Sequence, residues 1–150
     1  MTPNASYAAT GLTLQNGSSG KCLEVDGSSA SNGARVQQWD CNGQSGSYWG
    51  TQSAGGGYVR IINNSGKCLE IADSRTDDGA PAQQWTCSSG YDTQLWKLEV
   101  KGGDFGNRFV NKNSGKVLEI DNGSRSNGAR AQQWSSAWAS QQYWRVLLNT

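Results

Sequence analysis

Residues 19–41 read SGKCLEVDGSSASNGARVQQWDC, residues 65–87 read SGKCLEIADSRTDDGAPAQQWTC, and residues 114–136 read SGKVLEIDNGSRSNGARAQQWSS. The glycine of each SGK lies at Gly20, Gly66 and Gly115, and the QQW tryptophan at Trp39, Trp85 and Trp134, so both series step by 46 and then 49 residues. A second tryptophan closes each copy, at Trp49, Trp96 and Trp144. Self-similarity at such a period marks a repeat architecture. Each copy reads as about four short strands separated by turn signals, in the second copy YVRII, KCLEI, APAQQWTC and LWKLEV. Asn32-Gly33, Asp78-Gly79 and Asn127-Gly128 precede the third strand of each copy and supply positive-φ turn positions. Twelve strands in three copies predict a closed, pseudo-threefold all-β body, since closure removes exposed sheet edges.

Working outward, 150 residues suit one domain. Gly, Ser, Asn and Gln make up 63 of them, a composition of loops and neutral hydrogen-bonding groups that favours strands over helices. Leu, Ile, Val and Phe are sparse but there are seven Trp, so the core is expected to rest on a few large rings. A net charge of +1 gives no reason to expect a nucleic-acid or anionic-membrane partner. No apolar run is long enough to span a membrane. The absence of histidine removes Ser-His-Asp and Cys-His machinery and histidine-based metal sites. Residues 1–10 read as a linker remnant behind an added Met, with no signal peptide, as in an excised module or a mature form. The repeats divide the rest into α (11–56), β (57–104) and γ (105–150).

Cys22 and Cys41 are 19 residues apart, as are Cys68 and Cys87, and both equivalents vanish together in the third copy, at Val117 and Ser136. Of the three possible connectivities the repeat selects Cys22–Cys41 and Cys68–Cys87. Two structural disulfides imply an oxidising compartment and a secreted, extracellular protein. The cysteines are widely spaced singles, which argues against a shared metal site.

Alternation in KCLEVD puts Leu23 and Val25 on a core face and Cys22, Glu24 and Asp26 on the other. If the disulfide joins facing positions of a hairpin, Glu24 lies opposite Trp39 and Asp26 opposite Gln37. The same register pairs Glu70 with Trp85, Glu119 with Trp134 and Asp121 with Gln132. Each copy then gathers a carboxylate, an amide and an indole. A neutral sugar needs such a set: polar groups for vicinal hydroxyls and an aromatic ring for its C–H face. The QQW tryptophans read equally as platforms or as core rings with the Gln satisfying backbone groups. Trp49, Trp96 and Trp144 read as core. Trp138 and Tyr91 lie in polar loops and read as ligand contacts. Acids that recur with threefold symmetry suit equivalent binding spots rather than one asymmetric reaction centre, so no catalysis, cofactor or metal is expected.

At these residues the chain resembles the ricin-B-type β-trefoil lectins, the QxW group that includes family 13 carbohydrate-binding modules. The resemblance runs from about Gly11 to Leu148. It implies a six-stranded barrel capped by three hairpins, up to three sugar sites, galactose-type or xylan-type ligands, and frequent attachment to secreted glycoside hydrolases. It also implies site residues. The acid becomes Glu24, Glu70 and Glu119, with Asp26 and Asp121 beside two of them; the amide becomes Gln37, Gln83 and Gln132, and the aromatic Trp39, Trp85 and Trp134. An Asn-Gln pair before the closing Trp becomes Gly46-Ser47, Thr93-Gln94 and Gln141-Gln142. The α copy has thus lost both amides, and counting polar side chains ranks γ first, β second and α third.

The leading expectation is a non-catalytic, monomeric module that targets a secreted glycoside hydrolase to a neutral oligo- or polysaccharide. A free-standing multivalent lectin is the alternative, and a trefoil protease inhibitor or protein-interaction domain a third.

Overall fold

A computed structural model describes residues 10–148. The expected linker, apart from Thr10, lies outside the described residues. Twelve strands fall four to a copy among them: β1 (Leu12–Asn16), β2 (Cys22–Val25), β3 (Val36–Trp39), β4 (Trp49–Gly55), β5 (Tyr58–Asn63), β6 (Cys68–Ile71), β7 (Ala82–Trp85), β8 (Trp96–Val100), β9 (Asn107–Asn111), β10 (Val117–Ile120), β11 (Ala131–Trp134) and β12 (Trp144–Leu148). The first and last strands of each copy pair around a closed antiparallel ring, β1-β4-β5-β8-β9-β12 and back to β1. The hairpins β2–β3, β6–β7 and β10–β11 cap it. This is the β-trefoil.

The core repeats with the sequence. Leu23, Leu69 and Leu118 are fully buried, as are Trp49, Trp96 and Trp144. Each closing indole donates its N–H to the carbonyl of one of those leucines: Trp49 to Leu23 (2.9 Å), Trp96 to Leu69 (3.1 Å) and Trp144 to Leu118 (3.1 Å). The ring thereby buries its area without stranding its one polar group. Leu14, Ile61 and Phe109 complete the barrel interior. Both disulfides form as the spacing implied, with Cα–Cα separations of 5.2 and 5.1 Å.

The hairpin register differs from the sequence expectation by two residues. Cys22 pairs with Trp39, so Glu24 faces Gln37, Glu70 faces Gln83 and Glu119 faces Gln132. Cys41 lies beyond the end of β3 and reaches back to Cys22 diagonally. A neighbouring copy draws the chain off at this point: Asp40 N–H donates to Asn127 Oδ1 (2.9 Å), Thr86 N–H to Asn32 Oδ1 (2.8 Å) and Ser135 N–H to Asp78 Oδ1 (2.8 Å).

The second glutamine of each QQW stitches the copies into a cycle. Gln38, Gln84 and Gln133 are fully buried. Gln38 donates to Ser124 O and Ser126 O of the third copy, both at 2.9 Å. Gln84 donates to Ser29 O (2.8 Å) and Ser31 O (2.9 Å) of the first. Gln133 donates to Arg75 O and Asp77 O of the second, both at 3.0 Å.

Candidate carbohydrate-binding sites

The corrected register puts carboxylate and amide directly across from each other. Gln37 Nε2 donates to Glu24 Oε2 (3.0 Å), Gln83 Nε2 to Glu70 Oε2 (2.7 Å) and Gln132 Nε2 to Glu119 Oε2 (2.8 Å). The other carboxylate oxygen takes a second amide from the loop before the closing tryptophan: Gln94 to Glu70 Oε1 and Gln142 to Glu119 Oε1, both at 3.1 Å. The three glutamates are buried on the floors of their sites. Burial pushes the Glu119 carboxyl above the ordinary glutamate value; the amides of Gln132 and Gln142 oppose this, and the charges of Asp121 and Asp78 add to it.

The first copy has not lost its amide. Gln44 Nε2 donates to Glu24 Oε1 (2.6 Å) and to Asp40 O (3.0 Å), and Gln44 Oε1 accepts from Asn42 N–H (3.0 Å). Gln142 makes the same three bonds, to Glu119, Ser135 O and Ala137 N–H. The equivalence is three residues out of step in sequence. Ser47 holds the position of Gln142, and its hydroxyl donates to Gln44 O (2.7 Å). At Gly46, the position of Gln141, a Cβ would lie 2.8 Å from Val25 O and from Ser28 Cα, which leaves no room for a side chain. The basis for ranking the α site last is therefore removed.

Trp39, Trp85 and Trp134 are 39–41% exposed, so these rings lie at the surface and not in the core. Each sits over the turn glycine of a neighbouring copy. A Cβ on Gly128 would lie 3.9 Å from Trp39 Cζ3, one on Gly33 3.7 Å from Trp85 Cζ3, and one on Gly79 3.6 Å from Trp134 Cζ3. These glycines have φ of +85 to +88°, which glycine adopts freely. Every one of these rings thus stands beside a turn belonging to another copy.

Three open depressions of about 330, 230 and 190 Å³ contain these groups. The first brings together Glu24, Asp26, Gln37 and Trp39, with Asn42 and Gln44. The second brings together Glu70, Gln83, Trp85 and Tyr91, with Asp73. Gln94 stands behind Glu70, fully buried. The third holds Glu119, Asp121, Gln132, Trp134, Gln141 and Gln142, with Asn122. At the rims Gln37 also reaches Asp26 Oδ1 (3.4 Å) and Gln132 reaches Asp121 Oδ1 (3.3 Å). Trp138 does not line the third depression; it lies against Tyr143, Lys101 and Arg108.

Sequence reasoning missed Asn42, Gln44, Asp73 and Asn122. Asp73 follows Ala72, one place after the aspartates of the other copies, and takes a left-handed φ of +58° that turns it to the rim. A search for any Asp or Gln within a few residues of the aligned position would have found both Asp73 and Gln44.

The arrangement offers a carboxylate acceptor, amide donors and an exposed indole face three times over. Among the described residues no group of three or more His, Cys, Asp or Glu stands close enough to hold a metal ion.

The chain matches the Ricin-type beta-trefoil lectin domain over residues 10–144 and belongs to that family. The family is one of carbohydrate-binding, non-catalytic domains. The chain is similar to the designed threefold-symmetric protein ThreeFoil, with 36% identity and a TM-score of 0.87 over 92% of this chain and 98% of that one. It is also similar to part of 1,3Gal43A, an exo-beta-1,3-galactanase from Clostridium thermocellum: 32% identity and a TM-score of 0.89 over 99% of this chain but 31% of that one. The earthworm R-type lectin C-half, at 15% identity and a TM-score of 0.75 over 92% of this chain and 98% of that one, shares the fold. No curated protein sequence matches the chain.

Proposed function

We propose that the chain is a carbohydrate-binding module that holds a secreted glycoside hydrolase on its polysaccharide through up to three weak sites for galactose-type or related neutral sugars. The observation that carries this reading is the threefold recurrence of one constellation: Glu, Gln and an exposed Trp in an open depression. Open depressions accept internal units of a polymer, which an enclosed pocket would not. In this reading the sugar lays its C–H face on the tryptophan, while the rim aspartate and the first QQW glutamine take its hydroxyls. The buried glutamate acts beneath, holding that glutamine in place. The likeness to a segment of an exo-beta-1,3-galactanase supports both galactose-type sugars and attachment to a hydrolase.

The test is titration of the isolated chain with β-1,3-galacto-oligosaccharides, read at the indole N–H signals of Trp39, Trp85 and Trp134. Saturable shifts at these rings, lost site by site in Trp39→Ala, Trp85→Ala and Trp134→Ala, are expected. Absence of saturable binding to these and to a broad glycan array refutes the reading. The match along nearly the whole of a free-standing trefoil, ThreeFoil, favours a second reading, a multivalent lectin. Sugar-inhibitable agglutination of erythrocytes by the chain alone would select it.

A further inference from the structure

Threefold symmetry breaks at Trp138. Its equivalent in the first copy, counted four residues from Trp39 and Trp134, is Gly43. Both have a left-handed backbone, φ +77° at Gly43 and +58° at Trp138. Glycine adopts this freely, whereas a bulky ring there is a strained outlier of the kind that clusters at functional sites.

The ring is 59% exposed and carries two cations, with Lys101 Nζ 4.2 Å and Arg108 Cζ 4.4 Å from its centroid. The cations differ in how they are neutralised. Arg108 is buried, pairs with Glu99 Oε1 at 2.5 Å and donates to Ser136 Oγ. Asp104, in the same turn as Lys101, faces Arg145 at 3.8 Å. Lys101 forms no ion pair among the described residues. An uncompensated ammonium is therefore held over an exposed indole. The residue beside that indole, Ala137, lines the γ depression.

We propose that Trp138 and Lys101 form an acidic-sugar subsite flanking the γ site. A saccharide unit adjoining the one held at γ displaces the Lys101 ammonium from the Trp138 ring, lays its C–H face there and pairs an anionic substituent, carboxylate or sulfate, with the displaced ammonium. Arg108, fixed by Glu99, contributes field rather than contact. The proposal rests on the carbohydrate-binding reading above and adds to it a class of ligand that the threefold constellation does not select.

The test compares three probes on the full chain: a neutral β-1,3-galacto-oligosaccharide, its derivative carrying a terminal glucuronate, and its sulfated derivative. At low salt at least one acidic probe should bind the γ site roughly threefold to tenfold tighter than the neutral one, as suits a partly exposed charge pair. Whichever of the two gains identifies the substituent. The gain should vanish at about 1 M salt, where the screening length is ~3 Å. It should also vanish in Lys101→Gln. Trp138→Ala should weaken both acidic probes. Equal affinity for all three probes, or a gain that survives Lys101→Gln, overturns the subsite while leaving the γ site standing. Failure of every probe to bind overturns the underlying reading as well.

Discussion

Adjacent glutamines in each QQW have opposite tasks, and the pair Gln83/Gln84 tests this sharply. Gln84 is fully buried; it donates to Ser29 O and Ser31 O and accepts from Ser65 Oγ at 2.9 Å. Gln84→Ala strands two carbonyls and a hydroxyl and leaves a void where four heavy atoms stood. An unsatisfied buried group costs about 1–3 kcal/mol. Ser31 is exposed and Ser29 half-buried, so water recovers part of the loss, and we expect about 2–4 kcal/mol in total. At about 2–4 °C per kcal/mol for a chain of this size, Tm should fall by roughly 5–15 °C. Gln83 is half-buried, and its amide donates to Glu70 within the β depression. Gln83→Ala removes one donor from Glu70, which water in the open depression partly replaces, so it should lower Tm by clearly less than Gln84→Ala while erasing sugar-induced shifts at Trp85. Urea and thermal unfolding followed by tryptophan fluorescence, with titration of the folded variants, separates the two. A cost below about 1 kcal/mol for Gln84→Ala, or equal stability losses for both variants, would falsify the division of labour.

Reducing both disulfides should cost about 3 kcal/mol for each loop closed, measured by urea unfolding with and without reductant, while a chelator should leave stability unchanged. Because the Glu119 pKa is raised in the folded chain, its contribution to stability is complete below the ordinary glutamate pKa and is lost as pH rises through the folded value. Glu119→Gln should flatten that part of the stability–pH curve, and a curve of unchanged slope would count against it. Sugar binding at γ has the opposite sense: protonation removes the charge and weakens the acceptance of the Gln132 and Gln142 amides by Glu119, so affinity there should drop as pH falls through the same range, read at the Trp134 indole. Single open sites should bind a monosaccharide with a Kd of about 0.1–1 mM. Engagement of one polymer by two or three sites should tighten this by roughly a hundredfold or more. A micromolar monosaccharide site found by calorimetry would contradict this picture.

The repeat period, four strands per copy, the disulfide pairing and the buried closing tryptophans were all legible in the residues. Each depends on local chemistry: alternation along a strand, turn residues at fixed offsets, and cysteines present or absent in pairs. The constellation of Glu, Gln and Trp was legible too, but not how it is put together. The two-residue register error arose because a disulfide tolerates a diagonal reach, while the end of each hairpin is set by Asn127, Asn32 and Asp78 of neighbouring copies. Gln44 replaces the missing pair from three residues away because two backbone routes can deliver one amide to the same carboxylate, and position alone cannot tell them apart. Trp39 belongs to the surface because Gly128, 89 residues further along the chain, forms its seat. Sequence periodicity constrains what happens inside a copy. Where the copies meet is decided by packing around the threefold axis, between residues that no local pattern links.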